Sequence, residues 1–106
     1  MKRALAIAAT VLFSGLSASA GDSQMQNDHP FLGMWVTGDG RIRQELLPTG
    51  RYDEARGTRQ SAYQGRYVVI GDHIDYRDDT GFTADGKFVD NDTLHHGGMI
   101  FYREKP

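Results

Sequence analysis

Ile42-Arg43-Gln44-Glu45-Leu46-Leu47-Pro48-Thr49-Gly50-Arg51-Tyr52-Asp53-Glu54 contains a whole β-hairpin. Pro48-Thr49-Gly50 has the chemistry of a three-residue hairpin loop, in which proline sets the entering φ and glycine takes the left-handed position. Folding the stretch about that loop sets Leu46 opposite Tyr52 and Gln44 opposite Glu54. Directly opposed residues share a face of a sheet. Ile42, Gln44, Leu46, Tyr52 and Glu54 therefore collect on one side, and Arg43, Glu45 and Asp53 on the other. A slip of one residue would mix the two sets, so the clean separation supports the register.

The same logic extends outward along the chain. Asp39-Gly40 fits a two-residue hairpin loop, pairing Thr37 with Ile42 and Trp35 with Gln44. Gly71-Asp72 pairs Val69 with Ile74 and Tyr67 with Tyr76. Ala84-Asp85-Gly86 is read as a further hairpin loop, pairing Phe82 with Phe88, and Asn91-Asp92 as another turn. The apolar face then holds Trp35, Ile42, Gln44, Leu46, Tyr52, Glu54, Tyr67, Val69, Ile74, Tyr76, Phe82 and Phe88, and the polar face Arg41, Arg43, Glu45, Asp53, Arg66, Asp75 and Arg77. Ala55 to Ser61 is the one connection that reads as a longer loop. The strand runs are rich in Val, Ile, Tyr, Phe and Thr, and no segment carries a helical period. A meander of about eight short strands with one apolar face removes its exposed edges by closing. The expected fold is all-β, an eight-stranded antiparallel up-and-down barrel over residues 29–104.

The first twenty residues read as an export signal: Lys2 and Arg3, then the apolar stretch Ala4 to Leu16, then the small-residue site Ala18-Ser19-Ala20. Residues 21–28 are a polar leader. The expected location is periplasmic or secreted. The chain has no cysteine, so neither disulfides nor thiolate metal ligands hold this small domain together. Stability has to come from a closed ladder and an aromatic core. Without the signal's Lys2 and Arg3, 10 basic and 14 acidic residues remain, a net charge of −4. Nucleic acid and anionic membrane surfaces need a basic footprint and are not expected partners.

Phe31-Leu32-Gly33-Met34-Trp35 resembles the F-x-G-x-W opening of avidin-like and lipocalin-like barrels, in which the tryptophan plugs one end. A longer series follows in order: Glu45-Leu46-Leu47-Pro48, Gly50-Arg51-Tyr52-Asp53-Glu54-Ala55-Arg56-Gly57, Ser61-Ala62-Tyr63-Gln64-Gly65-Arg66-Tyr67, His73-Ile74-Asp75-Tyr76, Asp79-Thr80-Gly81-Phe82-Thr83-Ala84-Asp85-Gly86, Gly98-Met99 and Tyr102-Arg103-Glu104. The series resembles the small Agrobacterium-type ligand-binding protein family with a streptavidin-like fold. That resemblance implies an eight-stranded barrel and a ligand site. It brings no biotin-binding residues with it and names no ligand.

The apolar face is the candidate site. Ligand pockets combine apolar walls with a few convergent polar groups. Trp35, Tyr52, Tyr67, Tyr76 and Phe82 supply walls, and Gln44 and Glu54 supply polar groups. The same face equally describes a filled core whose polar members reach the rim. Arg56 and Arg59, on the expected loop, suit a carboxylate or phosphate as a lid, or form a solvated basic loop. His95 and His96 are adjacent and point to opposite faces of a strand, so no metal site is assigned to them. Ser61, His73 and Asp75 have the residue types of a triad without its sequence context. No cofactor motif is present. The reading is a protein that binds a small molecule in or at the mouth of the barrel. A protein-interaction module, such as a periplasmic inhibitor or adaptor, stands as the alternative, and an enzyme is not expected.

Overall fold

Turn chemistry at closely spaced glycines cuts the chain into eight strands: β1 (Gly33–Thr37), β2 (Ile42–Leu46), β3 (Arg51–Arg56), β4 (Arg59–Ile70), β5 (His73–Asp78), β6 (Thr83–Asp90), β7 (Thr93–His96) and β8 (Met99–Arg103). A computed structural model describes residues 29–105, so the signal and leader expected over residues 1–28 lie outside the described residues. Each strand pairs antiparallel with the next, and β8 pairs back onto β1 to close the barrel. No helix occurs among the described residues. Closure leaves the ring without an outer strand to recruit another chain.

The registers read from the turns hold at the first hairpins. Trp35 opposes Gln44, Leu46 opposes Tyr52, and Gln44 opposes Glu54. Val69 opposes Ile74 and Tyr67 opposes Tyr76. Gly50 takes the left-handed conformation its loop requires, with φ of 83°.

Two expected connections are corrected. Ala55 to Ser61 is not a long loop. β3 runs through Arg56, the chain reverses at Gly57-Thr58, and β4 begins at Arg59, which pairs with Arg56. The residues in excess of a simple hairpin are taken up by a bulge beside Glu54. Ala84-Asp85-Gly86 is not a turn. It runs inside β6, where Tyr76 opposes Ala84 and Ile74 opposes Gly86. The reversal falls earlier, at Asp78 to Phe82, because one Asp78 carboxylate oxygen accepts from the Thr80 N–H, the Thr80 hydroxyl and the Phe82 N–H at 2.7–2.9 Å. Phe82 therefore sits on that turn, 76% exposed, and is not a wall of the interior.

Side chains fill the ring. Trp35, Gln44, Leu46, Tyr67, Ile74, Leu94 and Phe101 are all less than 2% exposed. One end is sealed by residues 29–32. Phe31 stacks on Phe88 with ring centroids 3.7 Å apart, and the Trp35 indole N–H donates to the Phe31 carbonyl at 2.9 Å. Arg103 lies with its guanidinium 4.7 Å from the Trp35 ring and donates to the carbonyls of Leu32 and Pro30 at 2.9 and 2.6 Å.

His29 completes that seal. Its Nδ1 accepts the Phe31 N–H at 3.1 Å, and its Nε2 lies 2.7 Å from the Tyr67 hydroxyl, which donates to the Leu47 carbonyl. Only a neutral ring protonated at Nε2 satisfies all three contacts. Burial, and then the Arg103 charge, push the His29 pKa below its usual 6.5. A histidine whose folded pKa is depressed contributes stability that is complete above the unfolded pKa and lost as pH falls through the folded one. Thermal midpoints measured by circular dichroism should fall as pH drops from neutral through the histidine range. The fall should be smaller in His29→Asn. Equal falls in the two proteins would show that another group titrates.

Candidate functional site

Three of the expected site residues, Gln44, Glu54 and Tyr76, meet on the inner wall because β2, β3 and β5 present them there. Tyr76 donates its hydroxyl to Gln44 Oε1 at 2.6 Å. The Gln44 amide donates to Glu54 Oε1 at 2.8 Å. Arg56 donates Nε–H to Glu54 Oε2 at 2.7 Å. Gln44 is 0% and Glu54 2% exposed, whereas the Arg56 side chain is 44% exposed. The chain of contacts thus leads from the core to solvent. A carboxylate buried this deeply is tolerated because both oxygens accept strong donors and one donor is charged. Burial, and then the Glu54 charge, raise the Tyr76 pKa well above the ordinary phenol range, so the hydroxyl stays a donor. Tyr52 packs edge-on against Tyr76 with ring centroids 5.1 Å apart. Burial, with Asp78 and Glu54 adding to it, pushes its pKa up to about 12.

Arg56 emerges at the end of the barrel opposite the Trp35 seal. A cleft of about 440 Å³ lies there between the β1–β2 and β3–β4 turns and the start of β8. Its lining includes Thr37, Arg41, Ile42, Arg56, Met99 and Ile100. Arg43 braces the rim by donating to the carbonyls of Gly40 at 2.8 Å and Gly57 at 2.9 Å, one on each turn.

The expected site residues therefore separate into three groups. Gln44, Glu54, Arg56 and Tyr76 join in one chain that reaches this mouth at Arg56, and Tyr52 packs against Tyr76. Trp35 and Tyr67 are buried, and each bonds to the sealed end through Phe31 or through His29 and Leu47. Phe82 is on an outer turn. Arg59 is exposed, lies next to a tight turn rather than on a lid, and makes no side-chain hydrogen bond among the described residues.

Several contributors were not read from the sequence. Met99, Phe101 and Arg103 alternate inward along β8, and His96 packs its ring 4.4 Å from Tyr76. Their common signal is the parity that follows Gly97-Gly98, a two-residue turn with φ of 62° and 75°. On the outer wall, His73, Asp75 and Asp85 bring one ligand-type atom each within 4.8 Å of one another. All three are exposed, and His73 Nε2 lies 3.0 Å from Asp75. Ser61, which with His73 and Asp75 has only the residue type of a triad, bonds to Asp53.

Residues 28–103 match the family described as Agrobacterium tumefaciens protein Atu4866. The solution structure of the protein Atu4866 from Agrobacterium tumefaciens is 77% identical, spans 73% of this chain and 98% of its own, and superposes with a TM-score of 0.66. No curated protein matches. With most of its length matched by the family, this chain belongs to the family of Agrobacterium tumefaciens protein Atu4866.

Proposed function

We propose that the protein is an exported binding protein of the streptavidin-like kind that holds a small molecule at the mouth of its barrel and performs no chemistry on it. The observation that carries this reading is the Tyr76–Gln44–Glu54–Arg56 chain. It is a buried polar array inside an otherwise apolar core, and it ends in a half-exposed guanidinium beside a cleft. Apolar surface with a few fixed polar groups is the usual make-up of a small-molecule site. A packed interior favours the mouth over the centre as the ligand's position. Export rests on the basic, apolar and small-residue segments of the first twenty residues.

An amide-resolved NMR titration with a mixed library of small neutral and charged fragments tests the reading. Shifts should concentrate at residues 37–42, 56–57 and 99–100. A second reading, a protein-interaction module, draws on Phe82 and Ile70, whose side chains stand 76% and 71% exposed. Fragment shifts confined to those two residues, with the mouth unmoved, would favour it.

A further inference from the structure

We propose that the mouth cleft takes an organic monocarboxylate carried on an apolar body, with Arg56 as its anchor. The proposal rests on the mouth-binding reading and names the ligand class.

The guanidinium of Arg56 is fixed on two sides. Its Nε–H is held by Glu54 at 2.7 Å, and its face lies 4.8 Å from the centre of the Tyr63 ring. Glu54 is itself held by Gln44, and Gln44 by Tyr76. Arginine is costly to order because its side chain is long and flexible. Here the fold has ordered it before any ligand arrives, which lowers the cost of binding. The two η nitrogens make no hydrogen bond among the described residues, so the forked edge that matches a carboxylate remains open. Arg43 is a useful contrast, because its η nitrogens are taken up by the carbonyls of Gly40 and Gly57.

Arg41, also on the cleft, makes no side-chain hydrogen bond among the described residues and supplies a second positive charge. Ile42 and Met99 pack against the core, and Ile100 stands beside them, so an apolar body has a surface to lie on. Asp39 decides between anions. It is the one carboxylate among the lining residues, and its oxygen accepts from the Thr37 hydroxyl at 2.8 Å and the Arg41 N–H at 3.0 Å. Those bonds hold its pKa below the usual carboxylate range, so it keeps its negative charge. With Glu54 paired to Arg56 and Asp39 on the rim, two carboxylates offset Arg56 and Arg41, so the mouth has no surplus positive charge to draw a phosphate dianion.

The test is an amide-resolved NMR titration of the protein with hexanoate, hexylamine, hexanol and inorganic phosphate. Hexanoate should shift residues 37–42, 56–57 and 99–100, more strongly than hexanol, and hexylamine and phosphate should leave them in place. Arg56→Lys keeps the charge and loses the fork, and should weaken hexanoate about tenfold or more. Arg41→Gln, which breaks no bond of the fold, should weaken it by about twofold to fivefold. If hexylamine or hexanol shifts the mouth as well as hexanoate does, the carboxylate assignment falls while mouth binding stands. If hexanoate binds there undiminished in both variants, Arg56 is not the anchor. If no probe moves those residues, both readings fall.

Discussion

Trp35→Ala is expected to destabilise the protein by about 3–5 kcal/mol, the range for truncating a buried aromatic side chain. Trp35 is 0% exposed, and three separate elements close on it. Its ring lies 5.1 Å from that of Phe88 on β6. Its indole N–H holds the residue 29–32 strap through the Phe31 carbonyl. Arg103 of β8 covers it at 4.7 Å while donating to the same strap. Removing the indole therefore empties a core position and also frees the segment that seals one end. A domain of this size has about 5–15 kcal/mol of stability in total, so the variant should approach the limit of folding. Urea unfolding followed by far-ultraviolet circular dichroism measures the change, since the variant lacks its only tryptophan as a fluorophore. Trp35→Phe should lose less, keeping an aromatic contact with Phe88 and giving up the N–H. A midpoint unchanged in Trp35→Ala would mean that the strap and Phe88 seal the barrel without it.

How much of this was legible depended on whether the cause was local. The hairpin at Pro48-Thr49-Gly50 carries its turn and its alternation within a few residues of each other, so the Gln44–Glu54 opposition could be read directly. Around β6 two turn signals competed. Asp78 to Gly81 won because the Asp78 side chain satisfies three donors of the turn. Gly86 looked like a turn residue and has another reason to be glycine. A Cβ there would lie 2.8 Å from the His95 carbonyl oxygen and 3.1 Å from His96 Cβ, in the packed interior. Nothing in the sequence distinguishes a glycine needed for φ from one needed for closeness. The loop expected over Ala55 to Ser61 failed for a related reason: a bulge absorbs residues that hairpin counting assigns to a loop. The inward set on β8, with Phe101 and Arg103, depends on closure against β1, whose residues are far away in the chain. The site was half legible. Its polar members were found by register, but their depth was not. One of the two readings of the face put Gln44 and Glu54 at a rim reached by water, and the fold places them behind Arg56 at 0% and 2% exposure.

That depth sets the expected cost of Glu54→Gln at about 1–3 kcal/mol, the cost of stranding a buried hydrogen-bonding group. The substitution preserves shape almost completely, so only donors and acceptors change. Both carboxylate oxygens of Glu54 accept, one from the Gln44 amide and one from Arg56. A glutamine offers a single acceptor oxygen. If that oxygen keeps Arg56, its amide nitrogen faces the amide nitrogen of Gln44, donor against donor. Gln44 can turn over to present its oxygen, but that oxygen currently accepts the Tyr76 hydroxyl at 2.6 Å. The turned amide would then donate to the Tyr76 oxygen and leave the hydroxyl proton without an acceptor. While Arg56 is kept, one donor is stranded in the core either way; turning the new oxygen to Gln44 instead sets its amide against the Arg56 Nε–H and gives up that bond. A double-mutant cycle with Tyr76 reads the chain as a unit. In the native protein Tyr76→Phe removes a made hydrogen bond and should be destabilising. In the Glu54→Gln background it removes the stranded donor, and should cost less or even restore stability, with a coupling energy of about 0.5–3 kcal/mol. Denaturant midpoints of the four proteins give the coupling. Strict additivity would show that Tyr76, Gln44 and Glu54 act as separate contacts and not as one chain leading to Arg56.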